Sequence, residues 1–97
     1  LQSRYPHFKD LLKGVVDSKE DIDNTLSEFM ERDLSSLDPI ERSALRLAAY
    51  EMLFTDTDVP IIINESIRLS KKYGAADGHK YVNAVLDKMY KSNFQNI

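Results

Sequence analysis

Apolar residues recur along most of this chain at intervals of three or four positions, and that spacing constrains the fold more than any other feature. In the first third, with one interval of seven, the recurring residues are Phe8, Leu12, Val15, Ile22, Leu26 and Phe29. This recurrence places side chains on one face of an α-helix, whereas a half-buried strand requires apolar residues at every second position. No stretch has the strand pattern, so the sequence predicts an all-α fold.

The first two predicted helices differ in how clearly the sequence marks their ends. One long helix is predicted over residues 6–31, with a break near Ser18 as the alternative. The second begins after Asp38, because aspartate is a good N-cap and Pro39 suits the first turn, where its missing N–H costs nothing. Glu41, three residues after the cap, completes the pattern of a capping box. Apolar residues cover more than half of this helix's circumference, which predicts a central position in the fold.

Two further helices are predicted in the second half of the chain. Pro60 opens the third, which continues to about Tyr73 and stops at Gly74, a residue type common after helix C-termini. Asp77 is predicted to be the N-cap of the fourth. The apolar stripe of that last helix contains Val82, Val85, Leu86 and Met89. The sequence therefore predicts a helical bundle of about four helices with a long first helix.

The composition excludes several kinds of site. The chain has 97 residues, enough for one small domain, and 30% of them are charged. It has no cysteine, which excludes disulfides and thiolate metal sites, and neither His7 nor His79 has partners at metal-ligand spacing. We expect no metal, no cofactor and no catalysis. No apolar run reaches the roughly 18 residues of a membrane span, so a cytoplasmic protein without a membrane partner is predicted.

Charge is distributed unevenly between the two parts of the chain. Residues 1–60 contain 7 Lys or Arg against 13 Asp or Glu, whereas residues 61–97 contain 6 against 3. The net charge of −3 therefore combines an acidic part of −6 with a basic part of +3. This asymmetry is compatible with a basic face for an anionic partner and an acidic face for a different one.

Three segments resemble one known family. They are YPHFKDLLKGVVD, DPIERSALRLAAYEM and, most specifically, DVPIIINESIRLSKKYGAADGHKYVNAVLDK. Together they resemble the NusB family of bacterial transcription antitermination factors over nearly the whole chain. The resemblance implies an all-helical fold of two bundles and no catalysis. It also implies binding to boxA RNA together with the ribosomal protein NusE, within an RNA polymerase antitermination complex.

The resemblance also predicts how the chain is divided. Residues 1–97 are expected to form a single NusB-like domain, with 1–33 as a remnant of the N-terminal bundle and 34–97 as the C-terminal bundle. The family's arginine-rich first helix is not in this sequence, so we expect an incomplete RNA-binding surface. We also expect self-association through the apolar faces around Phe8, Leu12 and Val15, because a monomer seldom leaves a large apolar patch open.

The candidate RNA-binding residues lie mainly at the start of the last helix. They are Asp77, His79, Lys80 and Tyr81, and the resemblance adds Phe29. On a helical projection Tyr81 lies at the margin of the apolar face, so it either packs against the core or stacks on an unpaired base beside the cation of Lys80. Core packing is the alternative for Phe29 as well.

The candidate NusE-binding residues lie at the start of the second predicted helix. The resemblance assigns Glu41 and Arg42 to that surface, and the capping role of Glu41 is compatible with it. Two other functions remain open. One is a detached NusB-like RNA-binding domain of a small-subunit rRNA cytosine methyltransferase, and the other is a helical module that binds only protein.

Overall fold

The computed structural model describes residues 8–93, apart from the side chains of Phe8 and Asn93. Within that range it contains no strand and five helices: α1 (Phe8–Asp17), α2 (Lys19–Ser27), α3 (Pro39–Phe54), α4 (Val59–Tyr73) and α5 (Gly78–Asn93). A short 3-10 turn, Leu34–Ser36, lies between α2 and α3. The all-α prediction is confirmed, with five helices where about four were expected. The predicted helix start at residue 6, and His7, lie outside the described residues.

The single long first helix was the wrong alternative, because the chain bends at Ser18. This residue has φ −105° and ψ 13°, but its N–H still donates to the Gly14 carbonyl, and its own carbonyl accepts from Ile22. The bend separates α1 from α2 without a loop. α2 ends at Ser27, not at residue 31, because Glu28 and Phe29 donate to carbonyls only three residues back. Hydrogen bonds of this 3-10 type tighten the last turn and end the helix, so the following residues leave the helix axis.

The core lies between α2, α3, α4 and α5. Each of the other four helices contacts α3, so the predicted central position of that helix is confirmed. The largest fully buried apolar side chains are Ile22, Leu26, Leu45, Ile62, Val82, Val85, Leu86 and Met89. All four residues of the predicted α5 stripe are therefore buried, which confirms that stripe.

Contacts with α3 hold the first two helices in place. The Arg46 guanidinium donates twice to the Asp23 carboxylate, at 2.9 and 3.0 Å, and joins α3 to α2. On α1, a Cβ added at Gly14 would overlap the Tyr50 hydroxyl of α3. Glycine at this position therefore has a packing function, because it lets α1 approach α3 more closely than alanine would allow.

The start of α3 and the bounds of α4 agree with the sequence. Asp38 is the N-cap of α3, where its carboxylate accepts from the Ile40 N–H at 2.8 Å, and Pro39 is the first helical residue. α4 begins one residue before Pro60 and ends at Tyr73, as predicted. None of the helices within residues 8–93 combines the length and the hydropathy that crossing a bilayer requires.

Candidate nucleic-acid interface

Asp77, the residue just before α5, does not have the predicted role. This residue has φ 65°, in the left-handed region that few residues other than Gly, Asn and Asp adopt. Its carboxylate lies 3.3 Å from the Lys80 ammonium. The Lys80 N–H donates to the Asp77 carbonyl and not to its side chain. The predicted N-cap role of the Asp77 carboxylate is therefore wrong, because that group forms a surface ion pair.

A carboxylate from α3 lies at the start of α5 instead. Glu41 is only 5% exposed, and its Oε2 accepts from the Ala75 N–H at 2.8 Å. The carboxylate lies between Gly74 and Gly78, where a Cβ at either position would overlap it. The predicted capping box is therefore wrong, because Glu41 bonds to the α4–α5 loop and not to its own N-cap.

This arrangement also changes the explanation for Gly74. The residue has φ −89° and ψ −177°, so it is extended and does not need the left-handed freedom of a glycine that ends a helix. Glycine is required there because Glu41 lies so close. A negative charge beside the first residues of α5 is favourable, since the N-terminus of a helix carries partial positive charge. The Glu41 carboxylate thus occupies the position that an external anion would take at this helix N-terminus.

Tyr81 packs against the core, which was one of the two alternatives for this residue. Its side chain is half-buried and packs against the core, and its hydroxyl is buried without a hydrogen-bond partner among the described residues. Its ring also has a cation over it, because the Arg32 guanidinium carbon lies 5.3 Å from the ring centroid. The hydroxyl end of the ring is thus inside the protein, and an arginine lies over the ring.

The other candidate residues are not all brought together. Lys80 is exposed and His79 is half-buried in the first turn of α5. Phe29 follows α2, where it is half-buried and packs against the core. Arg32 was not among the sequence candidates. No local pattern marks it, because its contact with Tyr81 joins residues far apart in the chain.

The candidate protein-binding residues at the start of α3 differ in accessibility. Arg42 is half-buried, and its Nη1 lies 3.5 Å from the Ser35 carbonyl of the 3-10 turn. The Glu41 carboxylate points into the protein, so a direct contact between this charge and a partner requires the α4–α5 loop to move. Glu41 therefore positions the loop that precedes α5.

Most of the cations near α5 are on the surface. Lys71 and Lys72 are exposed in the last turn of α4, just before the loop, and Lys72 lies over the Tyr73 ring at 5.4 Å. Arg68 is paired with Glu65 at 2.5 Å. Residues 8–93 contain no group of three histidine or acidic side chains that could hold a metal ion. The arrangement suits binding of an anion by side chains more than it suits chemistry.

An apolar groove of about 380 Å³ lies between α1, α3 and α4. Its lining includes Leu12, Val16, Ile40 and Tyr73, which are 45%, 71%, 40% and 58% exposed. Val15, which was expected to be on the open face, lines the groove as well, but it is half-buried and packs against the core, whereas Val16 beside it is exposed. The side chain of Phe8 lies outside the described residues.

We expect this groove to cause self-association at high micromolar concentration, because water-exposed apolar surface of this kind is covered when two chains meet. Val16→Glu should shift the chain toward monomer in light scattering, because it places a charge on the most exposed apolar residue of the groove. Glu20→Ala, at an exposed position of α2, is the control and should leave the distribution unchanged. A wild-type chain that stays monomeric at these concentrations would contradict the expectation.

Comparison with known proteins gives a consistent result. The model of the NusB family matches residues 2–91. Three relatives are named "Transcription antitermination protein NusB". One from Shewanella halifaxensis is 44% identical over 89 residues, which cover 90% of this chain and 65% of the relative. One from Actinobacillus pleuropneumoniae serotype 5b is 48% identical over 86 residues, covering 87% and 62%. One from Methylobacillus flagellatus is 46% identical over 87 residues, covering 88% and 56%. The chain thus spans less than two thirds of the length of these relatives.

Proposed function

Because the chain belongs to the NusB family, we propose that it is a non-catalytic, cytoplasmic subunit of a transcription antitermination complex that binds boxA RNA together with the ribosomal protein NusE. The name shared by its relatives supports the antitermination part of this proposal, and none of those named above is a methyltransferase. The alternative of a methyltransferase targeting domain therefore has no support from them.

The observation that carries the RNA-binding part of the proposal is the first turn of α5. There an exposed lysine, Lys80, precedes the half-buried ring of Tyr81. Proteins that bind single-stranded RNA stack unpaired bases on such rings and hold the backbone with nearby cations. His79 and Asp77 flank this pair, and Phe29 is the more buried aromatic candidate. We propose Arg42, next to Glu41 at the start of α3, as part of the NusE surface.

The test is a binding titration with labelled boxA RNA, with and without saturating NusE. We expect the chain to bind NusE, and to bind boxA RNA more tightly when NusE is present. An RNA of the same length with a scrambled boxA sequence is the control and should bind more weakly. A chain that binds neither NusE nor boxA RNA would contradict the proposal, and binding to NusE alone would favour the module that binds only protein.

Two variants test the α5 site within the same assay. Tyr81→Ala should weaken RNA binding by about 1–3 kcal/mol, the usual contribution of a stacked base, with little dependence on salt. Lys80→Ala should reduce the slope of log affinity against log salt by about 0.7, the value for one phosphate contact with a single strand. Tyr81→Phe and Lys88→Ala are the controls, since one keeps the ring and the other removes an exposed lysine further along α5.

We expect Asp77→Asn to increase RNA affinity a few-fold at low salt. The change removes a negative charge beside Lys80 and frees its ammonium, while asparagine tolerates the left-handed backbone at this position. Stability should change by less than about 1 kcal/mol, because exposed ion pairs contribute little.

Asp87→Asn is the matched control for that change. It breaks a similar ion pair on α5, with Lys91 at 2.9 Å, about three turns further along the chain than Asp77. Equal effects of the two variants on RNA affinity, measured at two salt concentrations, would mean that the change at Asp77 acts only through net charge.

A further inference from the structure

Arg32 is held in a specific position after α2, although it is exposed. Its guanidinium carbon lies 5.3 Å from the centroid of the Tyr81 ring. Its Nη2 lies 3.4 Å from the Ser36 carbonyl at the end of the 3-10 turn. A guanidinium in this position has most of its five N–H donors free for other partners.

Arg32 forms no ion pair with a carboxylate within residues 8–93, although the exposed Glu31 and Asp33 flank it in the chain. Other basic side chains of the same range form ion pairs, including Arg46 with Asp23 and Lys80 with Asp77. Arg32 contacts a carbonyl and an aromatic ring instead, and neither of these carries a formal negative charge. The free protein therefore presents a cation at this point of its surface that is available to an anionic partner.

We propose that Arg32 is an additional RNA-binding residue, and that its guanidinium and the Tyr81 ring form one stacking surface for an unpaired base. The inference rests on the proposed RNA-binding function of the α5 start and extends that site to the segment after α2. The guanidinium lies over the ring, the base stacks on the surface that the two groups form, and a free guanidinium N–H donates to a phosphate oxygen.

The chemistry favours RNA over a protein partner at this site. Guanidinium groups and aromatic rings are the two kinds of side chain on which unpaired RNA bases stack. Here the two kinds contact one another, and packing against the core holds the Tyr81 side chain in place. Lysine cannot replace arginine in this role, because its ammonium is a compact charge without a planar face.

The proposal is tested by titrating single-stranded RNA against the 97-residue chain and its variants, with the ribosomal protein partner present, at low and high salt. Arg32→Ala should weaken RNA binding about five- to tenfold at low salt and still about threefold at high salt, because stacking is less screened than phosphate attraction. Arg32→Lys should lose about threefold at both salt concentrations, since it keeps the charge and loses the plane.

Lys88→Ala is the control, because Lys88 is an exposed cation further along α5, the helix that carries Tyr81. It should change RNA affinity less than about twofold at high salt, where screening removes most of a simple charge effect. Circular dichroism of each variant shows whether the chain is folded before its affinity is interpreted.

Three results would overturn the proposal. If Tyr81→Ala weakens RNA binding but Arg32→Ala and Arg32→Lys do not, the RNA site stands without Arg32. The RNA site also does not include Arg32 if the Arg32 variants weaken binding of the ribosomal protein and leave RNA affinity unchanged. Absence of RNA binding by the unmodified chain would overturn both this inference and the RNA-binding function on which it rests.

Discussion

Leu86→Ala is expected to lower the free energy of unfolding by about 2–5 kcal/mol, the range for a buried leucine truncated to alanine. The side chain is fully buried, and it belongs to the core formed by α2, α3, α4 and α5. Truncation removes apolar contacts with several helices at once and leaves a cavity that the surrounding helices fill only in part. Urea denaturation followed by circular dichroism measures the loss.

Leu12→Ala is the matched control for this prediction. It makes the same chemical change within a helix, so helix propensity changes equally, but Leu12 is 45% exposed. We expect a loss of less than about 1 kcal/mol there, because much of the side chain is in water in the folded state as well. A loss below about 1 kcal/mol at Leu86 would mean that α5 is not docked against the core.

Gly78→Ala is expected to destabilise the chain by about 1–3 kcal/mol, the cost of overpacking a filled site. An alanine here would ordinarily be neutral or stabilising, because it restricts the unfolded chain and favours a helix. We expect a loss of stability here instead, because the new methyl group would overlap the Glu41 carboxylate.

Glu41→Ala alone should cost about 1.5–3 kcal/mol of stability, since it leaves the Ala75 N–H without its charged acceptor.

The double variant distinguishes the overlap from an intrinsic cost of alanine at residue 78. In the Glu41→Ala background, Gly78→Ala should cost little, so the two losses should be strongly non-additive. Denaturant melts of the four proteins in this cycle measure the coupling. Additive losses would mean that the carboxylate does not lie between Gly74 and Gly78 in solution.

The same carboxylate connects two surfaces that the sequence treated separately. Glu41 is on α3, next to Arg42, and its oxygen bonds to the loop that leads into Lys80 and Tyr81. Glu41→Lys therefore removes a bond that orders the RNA-binding candidates and also places a cation in a buried site. Loss of partner binding by that variant would not identify a contact, whereas Arg42→Ala tests the surface directly.

The helical repeat was sufficient to predict the parts of the fold that depend on local periodicity. α4 begins one residue before Pro60, which was predicted to open it, and ends at Tyr73 as predicted. Leu86 and the other residues of the predicted apolar stripe on α5 are buried. These features follow from sequence alone because residues three and four apart share a helix face, and because proline and aspartate favour helix starts through their own backbone chemistry. The candidate residues Lys80 and Tyr81 were accessible to the same reasoning, since they lie one after another on one turn.

Only the tertiary structure decided which groups meet from distant parts of the chain. A glutamate three residues after an N-cap is compatible with a capping box, yet Glu41 bonds to Ala75, 34 residues away. Aspartate is a residue type favoured at N-caps, yet the Asp77 backbone is left-handed and its carboxylate pairs with Lys80. Arg32 lies in an unpatterned turn and reaches Tyr81 only because α2 ends at Ser27. Local sequence patterns reflect the preferences of a few neighbouring residues, whereas these contacts depend on how whole helices pack. The local alternatives differ by only about 1 kcal/mol, so helix packing decides between them.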